Sequence, residues 1–208
     1  NIEEFRKVNR DATLRLAKSA SKADLKRFIY VSSIGVLGQS TPMGHAFNNN
    51  SIYDPKGPYA ISKMEAEIGL KEISESTGME IVIIRPPLVY GPAAPGNFQR
   101  LLKLVDTRLP LPLARLNAIK SMISLDNLCD LLVKTVSKPL PKFSKFVVSD
   151  GSDWSTADLV RLIAMYMDRR QYIFPVPVSL LKAVAAIVGK SEDILKLTAP
   201  LVVDGSET

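Results

Sequence analysis

Tyr59 and Lys63 stand four residues apart in "GPYAISKMEAE" (57–67), with Pro58 immediately ahead of the tyrosine. A proline at the first helical position, followed by good helix formers, predicts a helix that opens at 58. Positions i and i+4 share one helix face about one turn apart, which makes the phenol and the ammonium neighbours. A free tyrosine has a pKa of about 10 and is a poor base at neutral pH. A nearby ammonium favours the phenolate and draws that pKa down, toward the range useful for acid and base work. The pair suits proton transfer to and from a hydroxyl.

A second hydroxyl comes from "YVSSIGVLG" (30–38), where Ser32 and Ser33 leave the apolar, β-rich run "KRFIYVSS". Open α/β sheets set their sites outside the carboxyl ends of parallel strands, so a serine there can hydrogen-bond a substrate oxygen. His45 is the only histidine and sits in a loop bearing glycine and proline; without a His or Cys partner it is no metal ligand, and no metal is expected. Cys129, the single cysteine, reads as a core residue of an apolar helix. One cysteine forms neither an internal disulfide nor a metal cluster, which suits a reducing cytoplasm.

These groups need elements to hold them. Residues 2–20 read as a helix, with Ile2, Phe5, Val8, Ala12, Leu16 and Ala20 recurring at spacings of three and four. The tyrosine helix runs from about 58 to 76 and is ended by Thr77-Gly78; "MEIVIIRP" is then a buried strand stopped by Pro86-Pro87. Strand, helix, strand predicts an α/β fold with a Rossmann-like, doubly wound parallel sheet. After "VYGPAAPGN" the pattern changes to a helix over about 97–106, the proline-rich link "RLPLPLARL", and a helix opening at Ser124 or Asp126 and running to Ser137. A strand "KFSKFVVSD" follows, then a helix "STADLVRLIAMYMD" with Ser155 and Asp158 at capping-box spacing, then a hairpin-like "QYIFPVPV" leading into two short helices. The expected division is a sheet domain over 1–95 and a smaller mixed α/β region over 96–208, some of whose segments return to the sheet.

Bulk properties narrow the partners. The net charge is +6, but the 27 basic residues are scattered, and no basic face with interleaved aromatics suggests nucleic acid. A nucleotide-bearing small substrate suits the same charge. The most apolar stretch, "PVPVSLLKAVAAIVG", is too short for a membrane span and carries Lys182. The opening "NIEEFRKVNRD" is charged and helical in pattern, unlike a signal peptide.

Taken in order, "VNRDATLRLAKSA", "KRFIYVSSIGVLG", "PYAISKMEAE", "IVIIRPPLVYGP", "GNFQRLL" and "SLDNLCDLL" resemble the extended short-chain dehydrogenase/reductases. The likeness is to the NAD-dependent nucleotide-sugar epimerases and dehydratases related to UDP-glucose 4-epimerase. It implies NAD or NADP as cofactor, a UDP-sugar substrate, and a homodimer joined by a bundle that includes the Tyr-Lys helix. By the family pattern Ser33, five before Gly38, is the catalytic hydroxyl, and Ser32 is its neighbour beside the cofactor. Tyr59 is the acid/base, and Lys63 binds the nicotinamide ribose while lowering the tyrosine pKa. Pro86, after Arg85, marks where the chain passes the nicotinamide; Asn97 matches the asparagine that contacts the diphosphate. Asn9 matches a helix asparagine that is largely structural. Lys120 stands where the family often has a phosphate-holding arginine, and it offers a point charge in place of a fork.

The implied reaction is C4 epimerisation of a UDP-sugar. The dehydratases carry Asp-Glu where Ser33 is here followed by Ile34-Gly35, which argues against dehydration. A UDP-4-keto-sugar reductase of polysaccharide biosynthesis shares every residue named and stays open; "RPPLVYGP" and "SLDNL" resemble the branch handling UDP-N-acetylhexosamines. An alternative of another class is an inactive fragment or a non-catalytic nucleotide-sugar-binding module. It rests on one feature: the 208 residues contain no G-x-G-x-x-G or G-x-x-G-x-x-G. The resemblance thus implies a glycine-rich βαβ unit outside this sequence, and these residues alone are expected to bind NAD weakly and turn over nothing.

Overall fold

A computed structural model of the chain describes residues 1–92, 97–107, 109–169, 172–187, 189–190, 194 and 197–206. The N-terminal helix is continuous but not uniform: α1 (Ile2–Phe5) passes through a π-helical stretch (Arg6–Ala12) into α2 (Thr13–Lys22). The wider π turns rotate the helix away from the face its apolar spacing predicts. Val8 and Leu16 are 67% and 62% exposed, while Leu14, Ala17 and Ala20 pack inward. Polar pairs help set this face. Asn9 Nδ2 donates to Ser62 Oγ at 3.0 Å, and Arg6 Nη2 donates to Glu65 Oε1 at 2.6 Å.

β1 (Arg27–Val31) leads through a loop to α3 (Pro58–Thr77), which ends at Gly78 with φ of 81°, a left-handed conformation suited to glycine. β2 (Glu80–Arg85) follows and pairs parallel with β1, so that Val31 lies opposite Ile84. β2 is apolar and covered on both faces, as a central parallel strand must be. Ile81 and Ile83 pack with Ala66, Leu70 and Ile73 of α3, whereas Val82 and Ile84 pack with Ile123 and Leu128. At Gly69 the two helices come close: an added Cβ would lie 2.7 Å from a Leu14 methyl.

β3 (Leu88–Tyr90), α4 (Asn97–Asp106), β4 (Ile119–Ser124) and α5 (Leu125–Ser137) come next. β5 (Phe143–Val147) then pairs parallel with β2, giving a first sheet in the order β1-β2-β5. β6 (Asp153–Ser155) precedes α6 (Thr156–Tyr166), and α7 is Val178–Ile187. A second sheet runs β3-β4-β6, parallel in its first pair and antiparallel in its second. The architecture is the α/β one that the sequence implies. Ser155 caps α6, its Oγ accepting from Asp158 N at 3.0 Å and donating to Asp158 Oδ2 at 2.6 Å.

Two expectations are corrected. The "QYIFPVPV" segment is no hairpin over its described residues: Ile173 bridges in parallel to Leu111 of the proline-rich link, with Phe174 N donating to Leu111 O at 3.0 Å. Gln171 lies outside the described residues. Cys129 is exposed, not core. The face of α5 that packs carries Leu128, Leu131 and Leu132, and at 100° per residue position 129 turns away from it. Among the described residues no helix is long and apolar enough to cross a membrane.

Candidate active site

The N-terminal turns of α3 lie against the carboxyl end of β1. Lys63 Nζ donates to the carbonyl of Val31, the last residue of that strand, at 2.9 Å. The ammonium also sits 4.6 Å from the Tyr30 ring centroid and 6.0 Å from that of Tyr59. Tyr59 is 44% exposed, its ring edge-on to Phe5 at 5.9 Å. Ser62 braces this turn by donating to Tyr59 O at 2.8 Å.

Ser33 leaves β1 in an extended conformation and caps the 3-10 turn Ile34–Val36, its Oγ accepting from Gly35 N at 3.1 Å. An added Cβ on Gly35 would lie 3.7 Å from Ala60 Cβ, so this turn touches the start of α3. Ser32 N donates to Ile84 O at 2.7 Å, and Ile34 N donates to Pro86 O at 2.9 Å. The exits of β1 and β2 are thereby tied together. The Ser32 hydroxyl is buried and has no protein partner among the described residues. Ser32, Ser33, Tyr59, Lys63 and Pro86 gather at one edge of the sheet.

The electrostatics differ from the expected pattern. Burial pushes the Tyr59 phenol above its ordinary pKa, where the neighbouring lysine was expected to draw it down. The Lys63 ammonium donates to Val31 O and lies 6.0 Å from the Tyr59 ring centroid, and burial sets the direction of the phenol's shift. Burial also lowers the Lys63 pKa, and the Glu67 carboxylate works against that fall.

Lys120 is placed elsewhere. It lies on β4 and donates to Ala199 O at 2.6 Å, and burial lowers its pKa. Asn97 opens α4, and its side chain lies outside the described residues. His45 lines a separate cavity of about 700 Å3 with Arg115, Asn117 and Thr198; none of the residues at the sheet edge takes part. The sequence reading passed over Glu67 and Tyr53, which are joined to Arg85 behind the candidate pair. The available signal was Glu67 itself, a charged residue four positions past Lys63 and so one turn along the same helix face.

A model of the NAD dependent epimerase/dehydratase family matches residues 1–122. A UDP-glucose 4-epimerase of Vibrio cholerae is 40% identical over 205 residues, covering 98% of this chain and 62% of its own. The solved structure of a UDP-glucose 4-epimerase from Thermotoga maritima, with UDP-glucose, has a TM-score of 0.75 at 16% identity, over 100% of this chain and 63% of that one. The Bordetella bronchiseptica enzyme WbmG, solved with NAD and UDP, has a TM-score of 0.73 at 18% identity, over 100% of this chain and 59% of that one. The chain thus spans about three-fifths of the length of these relatives.

Proposed function

The chain belongs to the NAD dependent epimerase/dehydratase family, and from that premise we propose that the protein is a nucleotide-sugar 4-epimerase acting on a UDP-hexose or UDP-N-acetylhexosamine. The observation that carries this reading is the meeting of Tyr59, Lys63 and Ser33 around the carboxyl end of β1.

NAD is the cofactor implied, and the leftover hydrogen-bonding capacity at the sheet edge fits it. The Ser32 hydroxyl is buried without a partner among the described residues, and Lys63 uses one of its three donors on Val31 O. Ser32, Tyr59, Lys63 and Pro86 would border it. Bound NAD supplies the acceptor and the donor of the hydride exchanged at C4.

The chain's own residues move and hold the proton. Tyr59 takes the proton of the 4-hydroxyl as that carbon is oxidised and returns it when the opposite configuration forms. Ser33 hydrogen-bonds the same oxygen. Lys63, its ammonium 6.0 Å from the Tyr59 ring centroid, would hold the nicotinamide ribose and supplies positive charge on that helix face. Residues 1–95 serve the cofactor side and 96–208 mainly hold the nucleotide sugar, with Asn97 and Lys120 as the substrate contacts that the family pattern gives.

The same reading makes the protein a cytoplasmic homodimer in polysaccharide biosynthesis. Exposed Val8, Leu16 and Ile68 on the N-terminal helix and α3 support a dimer face. An unpaired cysteine suits the compartment.

The test uses full-length protein with NAD and UDP-N-acetylglucosamine or UDP-glucose, with the C4 epimer followed by NMR. Tyr59→Phe should lower kcat by about 10²–10⁴-fold with little change in KM. Retained turnover with lost affinity for the UDP-sugar refutes the role given to Tyr59.

A further inference from the structure

Arg85 and Glu67 are both sealed from solvent, and their side chains meet between β2 and α3. Arg85 Nη2 donates to Glu67 Oε2 at 2.5 Å, and Arg85 Nε donates to Oε1 at 3.1 Å. Tyr53, from the loop ahead of α3, donates its hydroxyl to Glu67 Oε2 at 2.8 Å and accepts from Arg85 Nη2 at 3.1 Å. The guanidinium lies 5.1 Å from the Tyr53 ring centroid.

A fully desolvated ion pair is a poor source of stability, because stripping water from both charges offsets their attraction. It does impose geometry. A planar guanidinium, a carboxylate and a phenol pair through Arg85 Nε and Nη2 in a narrow range of arrangements, while Arg85 Nη1 is buried with no partner among the described residues, and any slip leaves more of a buried charge unpaired. Its three members come from the three elements that carry the candidate site. Arg85 directly precedes Pro86, Glu67 is one turn past Lys63, and Tyr53 lies on the loop running from the Ser33 turn to Tyr59.

We propose that Tyr53, Glu67 and Arg85 are positioning residues that set where Tyr59 and Lys63 stand against the strand ends. The inference rests on the role given to Tyr59 and Lys63 above. The network also reaches Lys63 through charge: burial works against its ammonium, and the Glu67 carboxylate works for it. The groups facing that ammonium are the Tyr30 ring and Val31 carbonyl of β1, with Tyr59 and Glu67 of its own helix; behind Glu67 stands Arg85 of β2.

Two variants of the full-length protein test this, Glu67→Gln and the gentler Tyr53→Phe, which keeps the ring and loses one hydroxyl. Each should lower kcat for UDP-sugar epimerisation by about tenfold while KM stays within about twofold, since small misplacements of reacting groups act on the transition state. NMR of lysine-labelled protein should find Lys63 titrating at lower pH in Glu67→Gln and unmoved in Tyr53→Phe. If both variants keep kcat within about twofold of the parent while melting earlier, the network merely supports the fold and the proposal fails. If Glu67→Gln does not fold, the kcat of Tyr53→Phe decides. Should the parent epimerise neither a UDP-hexose nor a UDP-N-acetylhexosamine, the proposed function has failed. The Lys63 titration then decides alone: a shift in Glu67→Gln upholds the network and an unmoved titration overturns it.

Discussion

Replacing Arg85 by methionine keeps most of the side-chain volume and leaves Glu67 buried without its cation. Both side chains are 0% exposed, so the carboxylate cannot turn to water without opening the β2–α3 interface. Two unit charges about 4 Å apart attract by about 4 kcal/mol at an effective dielectric constant of about 20. Removing one partner of such a pair costs about 3–5 kcal/mol, because the survivor stays desolvated and unpaired. Tyr53 still donates to Glu67, and a hydrogen bond to a charged group is worth about 1.5–3 kcal/mol. The expected loss is therefore near the lower end, about 3 kcal/mol. The triple variant Tyr53→Phe, Glu67→Leu, Arg85→Met removes every polar member at once, and it should return to within about 1 kcal/mol of the parent or exceed it. Urea unfolding followed by circular dichroism reads both. A single variant within about 1 kcal/mol of the parent would refute a sealed pair. A triple variant as unstable as the single one would refute the claim that desolvation offsets the attraction. Epimerase activity should stay low in the triple variant even where stability recovers, which separates holding the fold from placing α3.

Two further outcomes follow from packing and burial. Burial pushes the phenols of Tyr53 and Tyr90 up to about 12, with the Glu67 and Asp150 carboxylates adding to the rise, and it raises Tyr59 as well. A raised folded pKa contributes stability that is complete below the unfolded value of about 10 and is lost as pH climbs through about 12. Absorbance at 295 nm should thus find Tyr53 and Tyr90 still protonated at pH 10 in folded protein, and titration of both near 10 would contradict their placement. At Gly69 an added methyl meets Leu14 at 2.7 Å, so Gly69→Ala should cost about 1–3 kcal/mol by urea denaturation, and an unmoved midpoint would mean that α2 and α3 are not in contact there.

The amino-acid sequence alone was enough for whatever depends on neighbours in the chain. Pro58 opens α3, and the spacing of Tyr59 and Lys63 puts them on one face, because helical period and backbone stereochemistry act within a few residues. The apolar runs at 27–31 and 80–85 are parallel strands for the same local reason. Ser155 caps α6 across three residues. Other features needed the closed chain. Val8 and Leu16 face outward because a π-helical stretch and the pairing of Asn9 and Arg6 with α3 rotate the helix. β3 and β6 are only three residues each, and pairing with β4 makes them strands. The proline-rich link finds its partner at Ile173, about sixty positions away, which no local period encodes. Above all, the spacing of Tyr59 and Lys63 predicts a lowered phenol pKa, whereas tertiary structure aims the ammonium at Val31 O and partly desolvates the phenol, which raises it. It also sets Glu67 against Arg85 and Tyr53 behind the pair. Desolvation and long-range partners come into being only when distant segments exclude water together, so a site's residues can be read from the chain while their charges and orientation cannot.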